Sequence, residues 1–390
     1  MSAAAAAKSV FVAATRQHVG KSTVSLGIVS ALQQKGVNVG FIKPVGQQHV
    51  PVELVDEETG ETSVLSVDKD VRLINKYFGL NGNYRDMSPV VMPSGYTKQI
   101  IDNAKPGMKA EMRKDIMNAY KNLEQKHDFL VCEGTGHVGV GDIGGVSNAV
   151  VAASVGTNVI LVAEGGLGSA FDELSINKAA CDAAGTNILG VVLNKVIPSK
   201  VDMITDYFQR AISQWDFPLL GVIPYTEELT FKANYDVERL FNCSMHEDQR
   251  RSHLLNHPSG IQVAASSLNT FIEDCLSTED KHSILNRAIV IDESRTDIIE
   301  FLCHNAAVLG NSFKGIIIVS SKGERAYRSD VESLYSNYPC IVVPDPIEKV
   351  VSKYVNNTAK FNEVDLERTG MATQVVNDNF DFDLMMRLLK

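Results

Sequence analysis

Short, wholly apolar runs alternate with longer stretches of helical period along the first 224 residues. The runs at residues 10–13, 37–42, 129–132, 158–163, 188–193 and 219–223 lack the in–out alternation of a half-exposed strand, so they predict strands buried on both faces. Helical patterns lie between them, at 24–35 (closed by Gly36), 68–78 (closed by Gly79), 110–125, 147–154, 171–184 (closed by Gly185) and 204–215. Strand–helix alternation of this kind predicts an α/β fold, a doubly wound and mostly parallel sheet. Two stretches interrupt it. Residues 47–66 are acidic with few apolar anchors and read as a loop or hairpin, and the Pro- and Gly-punctuated 88–97 reads as a loop.

A second set of strand–helix units follows at 258–273 and 288–303, with further strands at 315–320 and 340–343 and a helix at 347–354. The expected organisation is a first domain over 1–240, a linker over 241–258 and a smaller α/β domain over 259–390. His246, His253 and His257 fall in or beside that linker among Glu247, Asp248, Arg250 and Arg251. No pair of them stands at helical spacing with a carboxylate partner, so the run reads as a solvated connection rather than a metal site.

Composition narrows the function classes. A chain of 390 residues can bury two cores, and a net charge of −10 without a basic stripe argues against nucleic acid as a partner. The six cysteines are scattered without a C-x-x-C pair, as reduced thiols packed like small hydrophobes would be. Met1–Lys8 lacks the features of a signal or transit peptide and no apolar run is long enough for a membrane, so a cytoplasmic protein is expected.

The candidate chemistry gathers at predicted strand ends. After the first strand come Thr15, Arg16, Gln17, His18, Val19, Gly20, Lys21, Ser22 and Thr23, opening a helix. Backbone N–H groups at such a turn wrap a phosphate, the helix terminus adds partial positive charge, Lys21 adds a full one, and the Ser22 hydroxyl suits Mg²⁺. The consensus loop G-x-x-x-x-G-K-[ST] has Thr15 at its first glycine here. Lys43 closes the second strand, as a phosphate clamp or a solvated lysine. Asp68 and Asp70 open a helix, as caps or as a Mg²⁺ carboxylate. Glu133 closes the third strand before a Gly-rich segment, a layout suited to a Mg²⁺-organising acid. Asn194 follows the fifth strand, where its amide can read a purine ring.

Taken together, these motifs resemble the dethiobiotin-synthetase-like branch of P-loop proteins. The 14–22 segment is similar to that family's GTDTxVGKT loop. Lys43-Pro44-Val45 matches its Lys-Pro-Val, Glu133-Gly134 its strand-end acid, Leu167-Gly168 its Leu-Gly, and Asn194 its base-reading Asn. The resemblance implies ATP and Mg²⁺ as cofactors. Lys21, Lys43 and Glu133 would act in catalysis, Thr15 to Thr23 and Asn194 would hold nucleotide, and Ser22, Asp70 (or Asp68) and Glu133 would hold metal. Gln17, Gly46-Gln47-Gln48 and Phe171 depart from the family's substrate-side residues, so dethiobiotin formation itself is not expected. Residues 287–299 and the strand before 320–323 look like the DRTGG domain, which follows such a P-loop domain in long phosphotransacetylases. The acyl-transferring domain of those enzymes is not read in these residues, so that activity is not expected. Two functions follow from the resemblance. One is an ATP-hydrolysing or carboxylate-activating catalyst with a small carboxylate substrate. The other is a nucleotide-sensing module. Either is expected as a homodimer or higher homo-oligomer.

Overall fold

In a computed structural model of the chain, the described residues are 8–55, 61–93, 95–102, 107–276, 283–320 and 329–390. They form two units, one running to Thr226 and resuming over Phe361–Lys390, the other spanning Glu227–Lys360. The strands of the first unit are β1 (Lys8–Ala14), β2 (Val39–Ile42), β3 (Val45–Gly46), β4 (His49–Val55), β5 (Thr62–Asp68), β6 (Val90–Val91), β7 (Phe129–Glu133), β8 (Asn158–Glu164), β9 (Ile188–Val196) and β10 (Leu219–Pro224). Six of them make one sheet in the order β10-β9-β8-β1-β7-β2, every neighbouring pair parallel. The apolar runs bury on both faces as their composition requires; Val10 to Ala14 are all buried. Since β7 and β8 flank β1 on opposite sides, strand order reverses around β1. Open parallel sheets bind ligands at the carboxyl end of such a point.

Helix α1 (Lys21–Gln34) follows β1 and is buried continuously from Thr23 to Leu32. A helix packed on a sheet by one face would expose the other. Here the helix Leu366–Asn377 covers it, and it comes so close that a Cβ on Gly27 would overlap Val376. Helix α2 (Lys69–Phe78) is capped by Asp68, whose side chain accepts from the Asp70 N–H. The acidic stretch before it takes the hairpin form, β4 pairing antiparallel with β5 from His49↔Asp68 to Val55↔Thr62. Its acidic residues 56–58 lie outside the described residues. The 88–97 stretch is less irregular than expected, since β6 pairs with β3 and a helix Tyr96–Asp102 begins there.

The second unit holds β11 (Ile261–Val263), β12 (Ala288–Asp292), β13 (Gly315–Val319) and β14 (Cys340–Val343), parallel and in sequential order. Alternate residues feed two cores. Ile289 and Ile291 of β12 join Phe271, Phe313 and Tyr338, whereas Ala288 and Val290 join Val237, Phe241 and Tyr354. This corrects the boundaries read from sequence. Val237, Phe241 and Met245, placed before or in the linker, are core of the second unit, and residues 361–390 belong to the first. Helical period reports that a face is apolar; it does not report which core the face joins. Of the segment 320–323, matched to the DRTGG motif, only Ser320 is described. Among the described residues no helix is long and apolar enough to cross a membrane.

Candidate functional site

The β1–α1 loop turns through two left-handed residues, His18 (φ 63°) and Gly20 (φ 103°). Position 20 requires glycine twice over: the backbone conformation disfavours a side chain, and a Cβ there would overlap the Asn194 amide. Asn194 is buried beneath the loop, donating to the Val19 carbonyl at 2.8 Å and accepting from the Lys195 N–H at 2.9 Å. Each end of its amide thus has a backbone partner. Lys195 reaches the His18 carbonyl at 2.5 Å. On the exposed side Arg16 pairs with Glu164 and, at 3.5 Å, with Glu173. Gln17 is exposed, and Thr23 is buried within α1.

Lys21, first in α1, donates to the Gly136 carbonyl at 2.7 Å, and burial lowers its pKa to about 8 against the opposing pull of Glu133. Ser22 donates to Glu133 Oε1 at 2.9 Å. The other Glu133 oxygen is buried with no hydrogen-bond partner among the described residues. Burial raises the Glu133 pKa; Asp70 raises it further, while Lys43 and Lys21 pull it down.

Lys43 is the hub. Its Nζ lies 3.1 Å from Asp68 Oδ1 and 3.4 Å from Glu133 Oε1 and forms an ion pair with Asp70, all four groups being buried. Burial alone would lower the Lys43 pKa, but Asp70, Asp68 and Glu133 together hold it well above the ordinary lysine value. Asp70 is opposed by burial yet held low by Lys43 and by Lys69, whose Nζ is 2.6 Å from Asp70 Oδ1. Beside this cluster lies a cavity of about 590 Å³, lined by Val45, Gln47, Gln48, Tyr96, Val140 and Asp142 among others.

The structure thus gathers Lys21, Ser22, Lys43, Asp70 and Glu133 at one edge of the sheet and brings Asp68 to the same lysine. Asn194 stays under the loop. Phe171 stacks on Trp215, with ring centroids 4.6 Å apart and planes at 8°. Sequence reasoning missed Glu173 and Asn177, which hold Thr15, and Asn148, which ties down the segment after Glu133 through Thr135 and His137. A signal existed for Asn177: an asparagine buried in the middle of the helix Gly168–Ala184, where that residue type is unfavourable without a partner.

The protein family described as "AAA domain" matches residues 8–233. The phosphate acetyltransferase of Nitrosomonas europaea is 28% identical over 240 residues, 58% of this chain and 31% of that protein. That of Pseudomonas aeruginosa is 26% identical over 259 residues, 62% of this chain and 34% of that protein. The ATP-dependent dethiobiotin synthetase BioD of Methanococcus vannielii is 25% identical over 215 residues, 55% of this chain and 92% of that protein. The chain spans about a third of the phosphate acetyltransferases it matches.

Proposed function

Because the chain belongs to the AAA domain family over residues 8–233, we propose that it binds ATP with Mg²⁺ and hydrolyses it or uses it to activate a small carboxylate. It is a P-loop NTPase of the dethiobiotin-synthetase type, with homologues named phosphate acetyltransferase. The observation that carries the proposal is the meeting of Lys43 with Asp68, Asp70 and Glu133 beside the Ser22–Glu133 hydrogen bond.

In this reading the loop N–H groups and Lys21 hold the β- and γ-phosphates, and Lys43 stabilises charge on the transferring phosphoryl group. Ser22, Asp70 and Glu133 would hold Mg²⁺, and the unpartnered Glu133 oxygen fits such a role. Among the described residues no group of three or more His, Cys, Asp or Glu is arranged to hold a metal unaided. Magnesium is bound through one or two carboxylates together with phosphate and water. When bound, the ion would neutralise phosphate charge. Asn194 supports the loop from beneath. The cavity beside Val45 and Gly139 would take the second substrate. We include in the proposal a DRTGG-like regulatory role for the second unit and assembly as a homodimer.

A second reading, a nucleotide sensor without turnover, is favoured by Gln17 and by Phe171, which is occupied with Trp215. Hydrolysis of ATP and GTP with Mg²⁺, in the native chain and Lys21→Ala, separates the two. Catalysis predicts turnover that falls at least ~100-fold in Lys21→Ala, as for loss of a transition-state charge partner. Tight binding without turnover, with or without small carboxylates, rejects the enzyme. Turnover unchanged in Lys21→Ala rejects the site.

A further inference from the structure

We propose that Glu173 and Asn177 are positioning residues for the phosphate loop, acting through Thr15, and that threonine replaces the consensus glycine because its hydroxyl is the attachment point of Glu173. The inference rests on the nucleotide-site reading above.

The far end of the loop is fixed by Gly20 and Asn194. The near end needs its own anchor, because Arg16, Gln17 and His18 are exposed and His18 is left-handed. Thr15 supplies that anchor at three points. Its N–H donates to the Val162 carbonyl of β8 at 3.0 Å, its carbonyl accepts from Asn177 Nδ2 at 3.1 Å, and its hydroxyl donates to Glu173 Oε2 at 2.8 Å. A glycine would keep only the first two. The third is a hydrogen bond to a charged acceptor from a residue 6% exposed, a stronger class than a neutral pair.

The same two side chains reach further. The other Glu173 oxygen lies 3.5 Å from Arg16 Nε, and Asn177 Oδ1 accepts from the Val138 N–H at 3.4 Å. Val138 stands two residues after Gly136, whose carbonyl receives Lys21. One face of the helix Gly168–Ala184, one turn apart at Glu173 and Asn177, therefore grips both the phosphate loop and the segment after Glu133. Asn177 Nδ2 also donates to the Glu173 carbonyl of its own helix at 2.8 Å. Asparagine is a poor helix former, and burying its amide is unfavourable without partners; two of its partners here lie in the loops, the Thr15 carbonyl and the Val138 N–H.

The test is a double-mutant cycle of Thr15→Val and Glu173→Ala, reading Kd for a fluorescent ADP analogue and, separately, the thermal midpoint without nucleotide. Each single variant should weaken nucleotide binding about tenfold, and the double variant little more than either. Thr15→Ser should restore affinity to within about twofold, since it keeps the hydroxyl. Thr15→Gly should weaken binding although it restores the consensus. Asn177→Leu, which removes both loop contacts, should raise Kd about tenfold; this arm carries the test if Thr15→Val does not fold. Additive effects in the cycle, Thr15→Gly binding as tightly as the native chain, or Asn177→Leu lowering the midpoint but not the affinity would overturn the inference alone. A native chain that binds no nucleotide overturns both it and the reading beneath it.

Discussion

Replacing Lys43 with methionine keeps the length of the side chain and removes the one cation that three buried carboxylates share. Asp68, Asp70 and Glu133 would then face one another with Lys69 left on Asp70. Lys43 is 6% exposed and Glu133 1%, so solvent cannot replace the lost partner. Breaking a buried ion pair by removing one member costs about 3–5 kcal/mol. For a unit of this size that is a fall in thermal midpoint on the order of 10 °C. The sign of the pH dependence follows from the shifts. Asp70 is held below the ordinary carboxylate value, so in the native chain its contribution is present above that value and is lost only as pH falls through its lowered one. Lys43 is held above the ordinary lysine value, so its contribution is complete below that value. Burial raises Glu133, so its protonation already favours folding as pH falls. In Lys43→Met, Asp70 loses its main partner and joins Glu133 in that behaviour. The deficit should be largest near pH 7–9 and shrink toward about pH 4–5. Urea unfolding midpoints of both proteins across this range measure it. A variant as stable as the native chain at neutral pH, or a deficit constant with pH, refutes the electrostatic account of the cluster.

Two further outcomes follow from packing. Gly20→Ala forces a side chain onto a left-handed residue and into Asn194, so unfolding should show a loss of about 1–3 kcal/mol from strain and about 1 kcal/mol more from the displaced Val19 hydrogen bond; a change below ~0.5 kcal/mol would contradict this geometry. A chain ending at Lys360 uncovers α1, including the surface of Gly27 now under Val376. It should lose the cooperative thermal transition of the first unit, and retention of that transition would show that residues 361–390 are dispensable to its fold.

What the chain determines by itself is local. Short apolar runs without alternation, bounded by turn signals, read as strands buried on both faces. Helical patterns lay between them, and most of the chemistry-bearing residues stood at run ends, so a parallel sheet with a phosphate loop at its carboxyl edge was legible. The resemblance to dethiobiotin synthetases was legible too, since it rests on short motifs in order. Partnership was not. Asp68 and Asp70 could each be cap or ligand by sequence; the register of the β4–β5 hairpin brings both to Lys43, and Asp68 caps as well. Asn194 had an amide suited to a base, and only the folded chain shows it under the loop with a backbone partner at each end. The final helices had apolar faces that fitted either core, and they joined the first because α1 had a face uncovered. Periodicity is written over a few residues by backbone geometry. Which side chains meet is decided by strand order and crossovers that join residues from 27 to 175 positions apart, and those exist only once the whole sheet has formed.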